Sequence, residues 1–474
     1  VGNGANLTGV ASTENIRTNT NATFLQNINV GVAITAGKLG IGFTDSNVKV
    51  GNTALNSLTT GTNNTAVGKD ALKTNTTGSS NAALGENSLE LNTTGSSNTG
   101  IGKDALRANT TANDNTAVGH EALELTSTGA QNTIVGSGAG RSNTTADNNT
   151  GVGYYALRSN TTGTRNTAVG SGSLDANTTA NNNTAIGYDA LTENTTGAQN
   201  TTVGNKSLDA NTTGDGNTAI GHIALGSNTT ADNNTAVGNS ALFANTTGTD
   251  NTAVGANALD AITTGSRCTA VGKSALGANT GNENTAVGNR ALEDNTSGTG
   301  NVAVGHDALK DNTTALENTA IGVDCLRTNT TGAENVGVGA YALYTNNGDD
   351  NTAVGKSALY ANTTGGYNTA VGRNALASNT TGVNNVAVGG LALDTSTTGS
   401  YNVAVGVWVL SDSTTAAYNT GVGYNALRAN TTGQYNVAVG YECLDKSTTA
   451  NDTVAVGSYA ASELTDGHNN TCVG

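Results

Sequence analysis

The 474-residue chain contains no proline and no methionine, and only 4% of its residues are aromatic and 12% charged. Proline cannot donate a backbone hydrogen bond, so its absence favours an unbroken stack of β-strands. A compact core of large side chains cannot be built from so few of them. No apolar run is long enough to span a bilayer. The net charge is −15 and no basic stripe is present, which disfavours nucleic acid as a partner.

One phrase is repeated along almost the whole sequence. Residues 64–85 read NTAVGKDALKTNTTGSSNAALG, and glycines in the register of Gly68 recur from Gly51 to Gly474. These register glycines number 26, and 23 of the 25 intervals between them are 17 residues while two are 16. The residue before each of them is always Val, Ile or Leu. Disordered segments do not keep an aliphatic residue at a fixed register, so the period predicts a solenoid.

Each unit is expected to contain two short strands, N-T-A-V-G and x-x-A-L, with N-T-T-G as the longer turn. Because side chains alternate across a strand, Thr65 and Val67 share one face and Ala66 and Gly68 share the other. We predict that Val67 lines the interior with Leu72, and that the Ala/Gly face is flat and external. The Asn found four residues before 24 of the 26 register glycines predicts a ladder of side-chain amides.

The predicted fold class is therefore all-β, a parallel β-solenoid (β-roll) of about 25 coils with 17-residue repeats. The repeats cover residues 47–474. Residues 1–46 are irregular and are interpreted as an N-terminal cap or assembly segment, because terminal units of repeat proteins tend to be atypical. At about 4.8 Å per coil, the rod would be roughly 120 Å long.

Units with Val three residues before the register glycine, such as Asn301-Val-Ala-Val-Gly305 and Asn436-Val-Ala-Val-Gly440, resemble the S-V-A-I-G phrase in heads of trimeric autotransporter adhesins. Phage tail-fibre and related structural proteins carry arrays similar to N-T-A-V-G-x-x-A-L. The resemblance covers 47–474 and implies left-handed β-rolls, three of which pack around an axis as a homotrimer, with the Ala/Gly face near it. The unit here is longer, through N-T-T-G, and no coiled-coil stalk or membrane anchor is visible.

The sequence contains no catalytic constellation and predicts neither an enzyme nor a cofactor. His120, His222 and His306 share one register but are several coils apart, and His468 is in another, so no metal site is predicted. The calcium-binding repeat G-G-x-G-x-D is missing. The four cysteines occupy different registers and are expected to be free buried thiols, with links between chains as the alternative.

Aromatic residues are concentrated near the C-terminus. Tyr367, Tyr401, Tyr418 and Tyr435 all lie twelve residues after a register glycine, and Trp408 lies in the same part of the chain. Stacked exposed rings would form a platform for glycans or for a protein partner. Local packing along one edge of the solenoid is the alternative interpretation.

The acceptor sequence N-T-T or N-T-S occurs in 16 of the 25 coils at one register, on the predicted turn. The alternative is that Asn and Thr simply suit solenoid turns. The candidate N-glycosylation sites are Asn75, Asn92, Asn109, Asn143, Asn160, Asn177, Asn194, Asn211, Asn228, Asn245, Asn295, Asn312, Asn329, Asn362, Asn379 and Asn430.

Together these features predict a non-enzymatic extracellular structural fibre protein that forms a rigid rod or filament, with glycosylation of the N-T-T turns left open. The alternative is an adhesin or a receptor-binding tail fibre that recognises surface glycans. The expected partners are further copies of the chain, as a homotrimer or an end-to-end filament, and cell-surface glycans. The expected location is extracellular, at a cell surface or on a virion fibre.

Overall fold

A computed structural model describes residues 46–474, which belong to one compact unit. In that range the chain forms 26 three-residue strands and no helix, and every strand pairs in parallel with the strand of the next coil. The predicted parallel β-solenoid of about 25 coils is therefore confirmed. The predicted N-terminal segment 1–46 lies outside the described residues, apart from Ser46.

The strands follow one another at the spacing of the repeat. They are β1 Val48–Val50, β2 Thr65–Val67, β3 Ala82–Leu84, β4 Thr99–Ile101, β5 Thr116–Val118, β6 Thr133–Val135, β7 Thr150–Val152, β8 Thr167–Val169, β9 Thr184–Ile186, β10 Thr201–Val203, β11 Thr218–Ile220, β12 Thr235–Val237, β13 Thr252–Val254, β14 Thr269–Val271, β15 Thr285–Val287, β16 Val302–Val304, β17 Thr319–Ile321, β18 Val336–Val338, β19 Thr352–Val354, β20 Thr369–Val371, β21 Val386–Val388, β22 Val403–Val405, β23 Thr420–Val422, β24 Val437–Val439, β25 Val454–Val456 and β26 Thr471–Val473.

The prediction that Val67 faces the interior is wrong. Ala66 and Leu72 are fully buried, whereas Thr65 is exposed and Val67 partly exposed. The middle residue is buried in every strand from β2 to β25, and the strand's last residue is at least 36% exposed in 18 of the 26 strands. The physical reason lies in Asn64, whose buried amide must point inward to bond from coil to coil. Side-chain alternation then places Ala66 inside as well.

The predicted second strand, x-x-A-L, is also wrong, because this segment is a series of turns. Asp70 and Leu72 have φ values of 59° and 49°, in the left-handed region. Their backbone still bonds between coils: the N–H of Asp70 donates to the carbonyl oxygen of Asn52 at 3.0 Å, and that of Leu72 donates to Ser88 at 3.0 Å. Residues with positive φ alternate with residues of ordinary φ in this segment, which points the side chain of Leu72 into the narrow interior. The backbone hydrogen bonds between coils are kept.

Two ladders of buried asparagine side chains run through the coils, which confirms the predicted amide ladder and adds a second one. In the first, the backbone N–H of Asn81 donates to Oδ1 of Asn64 at 3.0 Å, and Nδ2 of Asn64 donates to the carbonyl oxygen of Gly78 at 2.9 Å. In the second, Nδ2 of Asn92 donates to Oδ1 of Asn75 at 2.8 Å. Each ladder satisfies backbone groups that would otherwise be buried without partners.

The two 16-residue coils absorb their missing residue in the N-T-T-G turn. In a 17-residue coil, Nδ2 of Asn75 reaches the carbonyl oxygen of Gly78, three residues on, at 2.9 Å. In a 16-residue coil, Nδ2 of Asn279 makes the same bond to Gly281, two residues on, at 2.8 Å. Strand pairing stays in register, with Thr269 opposite Thr285. The turn therefore tolerates a change of length that the rest of the coil does not show.

Candidate functional site

An outward face of aliphatic and threonine side chains runs along all the described coils. It consists of the first and last residues of each strand, and we call it the Thr/Val face. Its two columns contain only Thr, Val, Ile, Leu and Ala, and the first column changes from mostly Thr to frequent Val beyond residue 300. The last residue of the strand is at least 36% exposed in 18 of the 26 strands, so the face is a continuous, partly apolar strip along the described coils.

Three of the four predicted platform tyrosines form one stack. The ring centroids of Tyr401 and Tyr418 are 5.0 Å apart with an interplanar angle of 1°, and those of Tyr418 and Tyr435 are 4.9 Å apart at 7°. Tyr367 is separated from Tyr401 by the coil that carries Asn384 at this register, and it lies outside the stack. We call the three stacked residues the tyrosine row. Alternation along the chain places this row beside the Thr/Val face.

Trp408 does not belong to the tyrosine row but to a second aromatic column. Its ring centroid lies 5.7 Å from that of Tyr424, at 68°. Tyr424 stacks on Tyr441 at 5.4 Å and 11°, and Tyr441 meets Tyr459 at 5.3 Å and 71°. The sequence-based prediction missed these three tyrosines, although they recur one or two residues after successive register glycines. Strands β22 to β24 are therefore bordered by aromatic side chains on both sides.

A cavity of about 300 Å³ lies beside Trp408. It occupies a groove between the side chains found two and five residues after the register glycines. Elsewhere long side chains such as Lys310 and Arg107 occupy this groove, whereas Ser411 is short. We call it the Trp408 cavity. Its lining consists of Leu391, Asp394, Trp408, Ser411, Asp412, Tyr424, Asn425 and Arg428.

Two acceptor oxygens of this lining are buried without a donor. Among the described residues, none donates a hydrogen bond to Oδ1 of Asp394 or to Oδ1 of Asn425. Asn425 is only 7% exposed. Burial, with a contribution from nearby Asp412, raises the pKa of Asp394 to about 6. The cavity thus combines carboxylate, amide and guanidinium side chains with an aromatic wall.

A second cavity lies in the same groove near Gly277, and we call it the Gly277 cavity. Its volume is about 370 Å³, and it opens where glycine replaces the usual long side chain. Its lining includes Asp260, Glu293 and Asp294 and contains no aromatic residue. The two cavities therefore have similar volumes but differ in the side chains that line them.

The sixteen candidate glycosylation asparagines all occupy the register of the second buried ladder, and none is more than 2% exposed. The nitrogen that would carry the sugar is the one that donates within the coil, as Nδ2 of Asn75 does to the carbonyl oxygen of Gly78 at 2.9 Å. A glycan could therefore be attached only before the coil winds, or after it opens. Glycosylation of these residues stays a prediction.

The remaining reactive side chains form no shared site in the described part of the chain. No group of three or more His, Cys, Asp or Glu residues in 46–474 is placed to hold a metal ion. All four cysteines are free; three are buried and Cys472 is partly exposed, and burial raises the pKa of Cys325 to about 12. Between residues 46 and 474, no helix is suited to crossing a membrane.

Comparison of the chain with protein-family models, with curated proteins and with solved structures found no match.

Proposed function

We propose that this chain is a non-enzymatic extracellular fibre protein of the adhesin-head or tail-fibre type, whose solenoids associate side by side through the Thr/Val face. The observation that carries the proposal is the aliphatic side chain exposed at the same register in coil after coil. Burial of apolar surface is worth about 25 cal/mol per Å². The apolar area that one strand would bury is small, but 26 strands contribute to the same face. Their summed burial would strongly favour association.

A second copy of the chain is the partner that fits this face best. The face repeats at the spacing of parallel strands, about 4.8 Å, over its whole length. Only a partner with the same repeat can make equivalent contacts in every coil, and another solenoid has it. The two columns carry no charged side chain, so their burial incurs no charge desolvation. The Thr/Val face, rather than the Ala/Gly face of the original prediction, would then lie near the axis of a homotrimer.

Lysines introduced on the Thr/Val face should separate the chains. The triple variant Val304→Lys, Val354→Lys and Val405→Lys would bury three charges in the proposed interface, each at a cost of several kcal/mol. We expect self-association to weaken by at least about a hundredfold, since even one such charge costs several kcal/mol. Sedimentation equilibrium and light scattering of the full chain would measure the change.

The matched control places the same charges in the same coils on the exposed N-T-T-G turn. Thr314→Lys, Thr364→Lys and Thr415→Lys alter side chains that are already exposed and do not belong to the face. This control should associate as the unaltered chain does. A chain that is monomeric at micromolar concentration, or equal association of the two triple variants, would contradict the proposal.

Recognition of surface glycans is the second candidate function, and the tyrosine row favours it. The three rings are 47% to 53% exposed. Because the stacked rings cover one another's inner faces, the row offers mainly ring edges and hydroxyl groups to a partner. A regular row of hydroxyls beside an apolar face suits an extended polar polymer.

Replacing the tyrosine row with serine tests this second function. We expect the variant Tyr401→Ser, Tyr418→Ser and Tyr435→Ser to lose most of its retention on an array of surface glycans, because the whole contact row is removed. Tyr188→Ser with Tyr367→Ser is the control, since both rings are exposed outside the row. Unchanged retention of the row variant would eliminate the row as a glycan platform.

A further inference from the structure

We propose that the Trp408 cavity is a binding site for a neutral saccharide, which places one sugar ring against the indole. The inference deepens the second candidate function by naming a site that is distinct from the tyrosine row. The cavity has space beside a short residue, Ser411, polar side chains in its lining and the indole of Trp408 as a wall. The Gly277 cavity has no aromatic wall.

The cavity lies where a short side chain, Ser411, stands beside Trp408. The register of Ser411 holds long side chains in many coils, including Lys73, Lys310 and Arg327, and short ones in others, such as Gly226 and Ala377. The long side chains reach the neighbouring coil. For example, Nζ of Lys73 lies 3.7 Å from Oε1 of Glu90 in the next coil. At Ser411 the column is interrupted directly below Trp408, and a space of about 300 Å³ remains. That volume is at the lower end of the range for small-molecule pockets, about 300 to 1,000 Å³.

The polar groups of the lining require a ligand that both donates and accepts hydrogen bonds. Asp394 and Asp412 contribute carboxylates to the lining, and Asn425 contributes an amide. Arg428 supplies donors on the same wall. Hydroxyl groups can serve both kinds of partner at once.

The apolar part of the lining suits the C–H face of a sugar ring. Trp408 is 39% exposed, and Tyr424 meets it at 68° rather than in a parallel stack. One indole face is therefore not covered by Tyr424, in contrast to the mutually covered faces of the tyrosine row. Leu391 extends the apolar wall. The carboxylates of Asp394 and Asp412 disfavour an acidic sugar, and the guanidinium of Arg428 disfavours a simple cation.

The Gly277 cavity shows what the groove offers without these features. It is slightly larger, about 370 Å³, but three carboxylates line it and no aromatic ring does. Nothing in it could stack on the apolar face of a sugar. It therefore provides an internal control at an equivalent position of the repeat.

The single tryptophan of the chain allows a direct measurement. Trp408 is the only fluorescent indole, so its emission reports on this cavity alone. We would titrate the full chain with glucose, galactose, mannose, N-acetylglucosamine and their common disaccharides, and confirm binding by calorimetry. We expect at least one neutral saccharide to shift the emission in a saturable manner.

Filling each cavity with lysine separates a specific site from a general effect. Ser411→Lys restores a side chain that the register already accepts at Lys73 and Lys310, so the coil should still fold. We expect it to weaken calorimetric binding by about tenfold or more, because the ring loses its space. Gly277→Lys fills the other cavity and should leave binding unchanged. The serine variant of the tyrosine row should also bind normally, which distinguishes this site from that platform.

Several results would overturn the proposal. These are the absence of any saturable emission change at millimolar saccharide, binding that survives Ser411→Lys, and binding that is lost equally in Gly277→Lys. Retained binding in the tyrosine-row variant together with loss in Ser411→Lys supports the cavity even if the tyrosine row proves irrelevant to glycans.

Discussion

Replacing Gly389 with alanine should open the solenoid at that coil, whereas replacing the adjacent Gly390 should leave it closed. Gly389 has φ +136°, a backbone conformation that only glycine adopts readily, and a Cβ there would lie 2.2 Å from the carbonyl oxygen of Gly406 in the next coil. A Cβ on Gly390 would meet nothing within 4 Å. Backbone strain of this kind costs about 1 to 3 kcal/mol, and the overlap adds to it.

Hydrogen exchange resolved by coil is the appropriate measurement, because long repeat arrays do not unfold as a single two-state unit. In Gly389→Ala we expect amide protection in β21 and β22 to fall by roughly a hundredfold, the equivalent of about 3 kcal/mol. Distant strands such as β5 should keep their protection. Equal protection in the two alanine variants would show that the glycine register is dispensable.

Replacing Asn385 with serine should destabilise its coil by a comparable or larger amount, while the same change at Asn384 should have little effect. Nδ2 of Asn385 donates to the carbonyl oxygen of Gly399 at 2.8 Å, and its Oδ1 accepts from the backbone N–H of Asn402 at 3.0 Å. Serine is too short to reach both groups. Each buried group left unpaired costs about 1 to 3 kcal/mol, so we expect a local loss of roughly 2 to 6 kcal/mol.

Asn384 provides a control from the neighbouring position. It is exposed, and its register already holds Ser80 and Ser97 with the same left-handed backbone. Exchange of the amides of Asn402 and its neighbours should accelerate in Asn385→Ser and remain slow in Asn384→Ser. Slow exchange in both variants would mean that the amide ladder contributes little to the cohesion of the coils.

The chain itself contains a partial replacement that indicates what the ladder requires. Cys268 stands in the register of the first ladder, and its Sγ lies 3.3 Å from the carbonyl oxygen of Gly281, where an asparagine amide would donate. The backbone N–H of Cys268 still donates to Oδ1 of Asn251 at 2.9 Å. A donor of suitable length therefore preserves part of the bonding.

The solenoid could be predicted from the sequence because its period is fixed by residues with one physical role each. The register glycine and the aliphatic residue before it recur in all 26 units, and the asparagine four residues before the glycine recurs in 24 of them. The choice of interior face failed because Val67 is larger and more apolar than Ala66, which in an ordinary core would place it inside. The position of Asn64, on the same side of the strand as Ala66, was the signal that outweighed size in this narrow coil.

The candidate sites were predicted less completely, for two different reasons. The tyrosine row follows from the 17-residue period alone, and so does the exclusion of Tyr367 once an intervening coil lacks a ring. The Trp408 cavity depends on a short residue, Ser411, lying beside Trp408 in the same coil. To predict this cavity from the sequence, one would need to know that the side chains two and five residues after a register glycine line the same groove. Leucine disfavours the left-handed backbone seen at Leu72, so the turns that create the groove are not apparent from composition.

The bonds between coils also determine how the rod would respond to mechanical tension. Hydrogen bonds join β2 to β3, and hydrogen bonds of the asparagine side chains join the coils in both ladders. These bonds point from one coil to the next and therefore lie along the axis of the solenoid. A pull on the two ends would load the bonds of one terminal coil before those of its neighbour. Each coil that yields would release 17 residues of chain, roughly 55 Å at full extension. Such a rod would resist bending. Under tension it would lengthen in steps, each of which corresponds to the opening of one coil.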